Sequence, residues 1–163
     1  MNDRRMLRAA LIAALAVVAV PMVRAQGAGP VSPAGAYSIP EAQLVQPEAL
    51  ERMLRTAGSQ QPLVLQVGSQ MLFNEAHIRG AVYAGPGSQP AGQELLRSRV
   101  AQLPRTKAIV IYCGCCPWQH CPNIGPAFAE LQKMGFKNIK ALYLADNFGA
   151  DWVAKGYPVV QSR

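Results

Sequence analysis

The chain of 163 residues is half apolar, with 15% charged side chains and a formal charge of +7. That length makes one domain the default, and that composition excludes an intrinsically disordered chain. The positive balance does not mark a nucleic-acid binder, because residues 1–25 hold Arg4, Arg5, Arg8 and Arg24 against Asp3, and the rest carries 12 basic and 8 acidic side chains without a block of like charge.

Arg4, Arg5 and Arg8 precede an apolar run from Ala9 to Val23, and Val23-Arg24-Ala25 ends it with residues a signal peptidase accepts. A basic head, a short apolar stretch and a small-residue end describe a secretory signal over residues 1–25. The run is about 15 residues long, whereas a membrane-crossing helix needs roughly 20. The expected mature protein therefore starts near Gln26, has no membrane span, and works in the periplasm or otherwise outside the cytoplasm, where disulfides persist. Asp3-Arg4-Arg5-Met6-Leu7-Arg8 loosely follows a twin-arginine signal, so either export route remains open.

Residues 26–43 are rich in Gly, Pro, Ala and Ser and read as a flexible lead-in, leaving 44–163 as the folded domain. From Pro47, Leu50, Met53, Leu54 and Ala57 fall at helical spacing, with Glu48 and Glu51 in the first turn, and Gly58-Ser59 closes the helix. Leu63–Val67 reads as a short buried strand. A helical piece near Met71–Glu75 and a strand at Ala81–Tyr83 follow, then a loop over 85–92 and a helix carrying Leu95, Leu96, Val100 and Leu103. Ala108-Ile109-Val110-Ile111-Tyr112 is almost wholly apolar, as strands of parallel sheets are. Pro122 is expected to open a helix with Ile124, Ala127, Phe128, Leu131 and Met134 on one stripe, stopped by Gly135. A strand over Ile139–Leu144, a short helix over Phe148–Lys155 and an extended piece over Tyr157–Val160 complete the chain. Strands alternating with helices predict an α/β fold: an open, mainly parallel central sheet with helices on both faces.

All four cysteines lie within nine residues, Cys113-Gly114-Cys115-Cys116-Pro117-Trp118-Gln119-His120-Cys121, between the most apolar strand and a helix. Loops at the carboxyl ends of strands line the ligand crevice of open α/β sheets. A helix amino terminus attracts anions and lowers the pKa of a nearby thiol. A thiolate there is a competent nucleophile.

The order of short motifs resembles the rhodanese-like domain family from about Val45 to Val160. Leu63–Val67 is similar to that family's early strand, and Glu75-Ala76-His77-Ile78-Arg79-Gly80-Ala81 to its His-Ile-x-Gly-Ala motif. Tyr112-Cys113 matches the position of its persulfide-forming cysteine, Leu131–Phe136 the end of the next helix, and Trp152 with Gly156-Tyr157-Pro158-Val159 its closing motif. The resemblance implies a sulfurtransferase in which Cys113 attacks the outer sulfur of a donor and carries it as a persulfide. The partner would be a small sulfur-containing anion or an acceptor thiol, with no resident cofactor and no nucleic acid.

Three departures bear on that reading. The family's Asp-x-Arg after the early strand is Gln66-Val67-Gly68 here, the loop is about five residues longer than a common one and lacks Arg and Lys, and Pro117 and Pro122 remove N–H donors that an anion cradle uses. A phosphatase of this fold would need an arginine where the loop ends in Cys121.

The spacing itself suggests Cys116 as the thiol that resolves a Cys113 persulfide. Gly114, Cys115, Trp118, His120 and Arg79 are the candidate substrate contacts, with Trp118 either closing over substrate or covering the sheet edge. The alternative is a metal-handling loop, with Cu or Zn held by Cys113, Cys116, His120 and Cys121, since Cys-x-x-Cys lets two thiolates reach one ion. A third reading is a binding module braced by disulfides among the four thiols. His77 and Trp152 are expected to be structural, as a hydrogen-bonding and a packing residue.

Overall fold

The computed structural model describes residues 39–162 apart from 57, 59 and 60. The export signal and all but the last few residues of the lead-in lie outside the described residues. Five strands, β1 (Leu44–Val45), β2 (Leu63–Gln66), β4 (Val82–Tyr83), β5 (Ile109–Tyr112) and β6 (Ile139–Leu142), form one parallel sheet in the order β1-β6-β5-β2-β4. Two further strands, β3 (His77–Ile78) and β7 (Val159–Val160), pair antiparallel as a separate ribbon. The expected α/β architecture is present.

Alternation along the strands divides the core between two faces. Leu65, Ile109, Ile111 and Cys113 point to the face covered by α3 (Pro90–Val100) and α4 (Ile124–Lys133), where Leu96, Val100, Ile124, Phe128 and Leu131 meet them. Val64, Val110, Tyr112 and Leu142 point to the other face, against Leu50 of α1 (Pro47–Arg55), Phe148 and Trp152. Both faces of β5 are therefore dry, which explains its unbroken apolar run. The short helix α2 (Gln70–Glu75) leads into β3, and a single π-helical turn spans Gly149–Val153.

Several boundaries differ from the sequence expectation for local reasons. The helix expected from Pro122 begins at Ile124, because Asn123 turns its side chain back to Ser88 and Cys113 instead of capping the helix. Gly135 (φ +88°) does end α4: its N–H bonds to Gln132 O and that of Phe136 to Leu131 O, a Schellman closure that requires the left-handed conformation. The two-residue strands β1 and β3 carry too short a pattern to be read from sequence. His77 is buried with Nδ1 2.7 Å from Phe73 O, and Trp152 is fully buried with its indole N–H donating to Pro158 O. Both are structural, as expected. No helix among the described residues is long and apolar enough to cross a membrane.

The sheet order also locates the site. After β2 the chain moves to one side to place β4, and after β5 it moves to the other to place β6. The carboxyl ends of β2 and β5 flank the point where the order reverses, which is where open α/β sheets bind ligands.

Candidate functional site

Cys113 immediately follows β5, the central strand, and is 3% exposed. Three neighbours hold it. From the end of β2, Gln66 donates through Nε2 to Cys113 O (3.1 Å) and Ser69 O (3.4 Å). Because that nitrogen faces two carbonyls, the amide orientation is settled, and Gln66 Oε1 is left buried without a protein partner. From the turn before α4, Asn123 donates through Nδ2 to Cys113 Sγ (3.3 Å) while its Oδ1 accepts from Ser88 N–H and Oγ–H. Gly68 leaves the space that the thiol fills: a Cβ there would sit 2.9 Å from Cys113 Sγ. Gly114 follows at φ +82°, and a side chain on it would strike Phe148. That glycine turns the chain back over Cys113.

The turn brings sulfurs together. Cys113 Sγ and Cys115 Sγ are 3.1 Å apart, as are Cys115 Sγ and Cys116 Sγ. Cys113, Cys115 and Cys121 converge so that all three sulfurs lie within 4.8 Å of one another. Spacing pointed to Cys116 and His120 as co-ligands with Cys113 and Cys121; the structure seats Cys115 in that group instead. Gly114 folds Cys115 back over Cys113 and leaves the Cys116 thiol against Cys115 Sγ (3.1 Å) and directed at His120 O (3.8 Å). His120 is exposed at the end of a one-turn 3-10 helix, Trp118–His120.

A crevice of about 380 Å³ opens over the cluster, lined by Tyr112, Cys113, Gly114, Cys115 and Cys116 on one side and by Leu72, Glu75 and Phe148 on others. Cys113, Gly114, Cys115 and Cys116 thus stand where site residues were expected. Trp118 does not line the crevice; it packs on Tyr143 with ring centroids 5.3 Å apart and covers the sheet. Arg79 is also absent from it and borders a separate small pocket beside Trp152 and Pro158, because β3 leaves the central sheet for its pairing with β7. Among the lining residues Glu75 is the one carboxylate, and there is no Lys or Arg. Gln66, Gly68 and Asn123 complete the site and were not recognised as its parts from the sequence. A larger depression of about 550 Å³ lies at the amino ends of β5 and β6 and is lined by no cysteine, histidine or carboxylate.

Proton placement within the cluster follows from who donates to whom. The Cys113 thiol is pushed up because it donates to the sulfurs of Cys115 and Cys121 and is buried. Cys115 is lowered to about 6, chiefly by the hydrogen bond from Cys113. Cys121 is lowered to about 7 by the same donor, helped by the backbone N–H groups of Asn123 and Ile124 at the start of α4. Burial pushes Cys116 up to about 12. The two thiols held down are therefore Cys115 and Cys121, with Cys113 as the hydrogen-bond donor between them. The helix terminus acts on Cys121, not on Cys113.

The solved structures that resemble this one share its fold. The rhodanese-like domain of the Alr3790 protein from Anabaena sp. superposes with a TM-score of 0.55 at 22% identity, over 73% of this chain and 79% of its own. The BH2092 protein from Bacillus halodurans gives 0.56 at 20% identity, over 72% and 76%. EanB, in a T414V variant solved in complex with hercynine, gives 0.53 at 22%, over 73% of this chain but 27% of its own. No curated protein matches the chain in sequence. The rhodanese-like domain family matches residues 46–144, from the residue before α1 to the strand β6 and its exit. With more than half of its length matched, the chain belongs to the rhodanese-like domain family.

Proposed function

We propose that the domain is an exported sulfurtransferase or thiol-redox protein that carries sulfane sulfur as a persulfide on Cys113. The observation that carries this reading is Cys113 Sγ at the carboxyl end of the central strand, at the floor of a crevice, with Cys115 Sγ 3.1 Å away. Cys115 is the base that the Cys113 thiol needs. When a persulfide or polysulfide donor R–S–S⁻ enters, Cys113 attacks the outer sulfur as its proton passes to the Cys115 thiolate. The S–S bond of the donor breaks, R–S⁻ leaves, and Cys113–S–S⁻ and Cys115–SH remain. An acceptor thiolate then takes the outer sulfur by the same exchange, returning Cys113 to its thiol form with the proton from Cys115.

The donor is a persulfide or polysulfide more readily than thiosulfate. A dianion leaving as sulfite requires cationic or N–H stabilisation, and the crevice offers Glu75 without a lysine or arginine. Asn123 Nδ2, already donating to Cys113 Sγ, supports the negative sulfur that develops there. Cys115, being the sulfur in contact with Cys113, takes the partner role that spacing assigned to Cys116. Export rests on Arg4, Arg5 and Arg8 before the apolar run to Val23, and a periplasmic protein beginning near Gln26 is its expected product.

The test is intact-mass analysis of reduced protein after exposure to polysulfide. One persulfide adds about 32 Da, and Cys113→Ser is expected to abolish the adduct while thiosulfate yields little of it. No uptake from polysulfide, or uptake that survives Cys113→Ser, overturns the reading.

A further inference from the structure

We propose a second use of the same loop: a trigonal copper(I) site formed by Cys113, Cys115 and Cys121. The three sulfurs lie within 4.8 Å of one another before any ion is present. For metal–sulfur bonds of about 2.3 Å, three sulfurs around a trigonal ion stand about 4.0 Å apart. The 113–115 pair, at 3.1 Å, has only to open, and the remaining pairs already fall within the 4.8 Å limit. Small side-chain rotations close the site without moving the strand.

The donor set selects the ion. Three soft thiolates suit copper(I), which accepts three-coordination, whereas structural zinc takes four ligands. No histidine or carboxylate joins the three sulfurs among the described residues. A copper(I) ion with three thiolates carries net negative charge, and two features of the fold meet it. Cys121 lies three residues before the ten-residue helix α4, at its positive amino end, and the Asn123 amide donates to Cys113 Sγ. Cys113 is buried and Cys121 half-buried among Trp118, Ile124 and Phe128, so the inner side of the site is dry. Binding displaces the remaining thiol protons and occupies the sulfur that would carry a persulfide. Copper and sulfane sulfur therefore exclude each other.

This proposal rests on the sulfur geometry and not on sulfur transfer, and the two fail separately. The reduced full chain is titrated anaerobically with copper(I) against a chromogenic copper(I) chelator, and the bound ion is examined by X-ray absorption. One ion per chain with three sulfur neighbours is the expected result. Cys115→Ser and Cys121→Ser should each weaken binding at least ~10-fold, while His120→Ala leaves it unchanged; circular dichroism checks that each variant is folded. The proposal is overturned by no copper uptake in competition, by a nitrogen ligand in the absorption spectrum, by loss of binding in His120→Ala, or by zinc displacing copper(I). Copper-loaded protein that still gains sulfur from polysulfide would refute the mutual exclusion.

Discussion

Adding one methyl group at residue 68 tests whether the space around the Cys113 sulfur is set by its neighbours. A Cβ on Gly68 would lie 2.9 Å from Cys113 Sγ, 2.9 Å from Gln66 Nε2 and 3.0 Å from Cys113 O, against ordinary contact from 3.4 Å outward. Gly68 is not among the glycines of positive φ, so alanine meets no backbone penalty there and the cost is steric. Of the three atoms, the carbonyl and the amide are held in place, so the thiol is the one that gives way. Cys113 O belongs to the backbone just beyond β5, and the Gln66 amide is tied to that carbonyl and to Ser69 O. Overpacking of this kind costs about 1–3 kcal/mol. We expect Gly68→Ala to lose stability in that range in urea unfolding, and to slow persulfide formation at least ~10-fold, about 1.4 kcal/mol of barrier, as the thiol is displaced from Cys115 and Asn123. The control is Gly80→Ala, at φ +84° with nothing within 4 Å. It should lose about 1–2 kcal/mol by backbone strain alone and keep the wild-type rate of sulfur uptake. Equal uptake rates in Gly68→Ala and Gly80→Ala at matched stability would refute the idea that packing against residue 68 positions the nucleophile.

Four other outcomes follow from the same geometry. Tyr112→Phe removes the phenol oxygen that accepts Ile78 N–H at 3.2 Å in a buried setting, so chemical unfolding should show a loss of about 1–3 kcal/mol with β3 the first region to exchange its amides. Asn123→Ala strips donors and acceptors from Ser88 and Cys113 Sγ together; a similar stability loss is expected, with slower sulfur uptake than in Tyr112→Phe, and equal rates in the two would count against the Asn123–Sγ contact. Iodoacetamide at pH 7 should label exposed Cys115 first and buried, proton-holding Cys113 last, as read by peptide mapping, whereas Cys113 labelled first would reverse the proton assignment. The sign for stability is also set: Cys115 ionises more easily folded, at about 6, than unfolded, at about 8.5. Its contribution is present above the unfolded value and is lost as pH falls through about 6, shrunk by solvent because the residue is exposed.

The sequence alone carried the order of strands and helices, because each long element bears its own periodicity: Ile109–Tyr112 is apolar on both faces, and Ile124, Phe128 and Leu131 recur at helical spacing. It also carried the place of the chemistry, since four cysteines in nine residues between a strand and a helix need no partner from elsewhere to be noticed. Which sulfurs meet was a different matter. Spacing joined Cys113 to Cys116, but the left-handed turn at Gly114 puts Cys115 against Cys113 and sends Cys116 toward His120 O. Arg79 looked available for an anion until β3 paired with β7 and placed it at another pocket. Gln66 and Gly68 read as missing family features and Asn123 carried no signal, and only the parallel pairing of β2 with β5 and the packing of α4 bring them around one thiol. Periodicity is a local property, written residue by residue along the chain. Contact between residues 10 or 47 positions apart, as in the bonds from Asn123 and Gln66 to Cys113, is decided by backbone turns and sheet register, which exist only once the chain has folded.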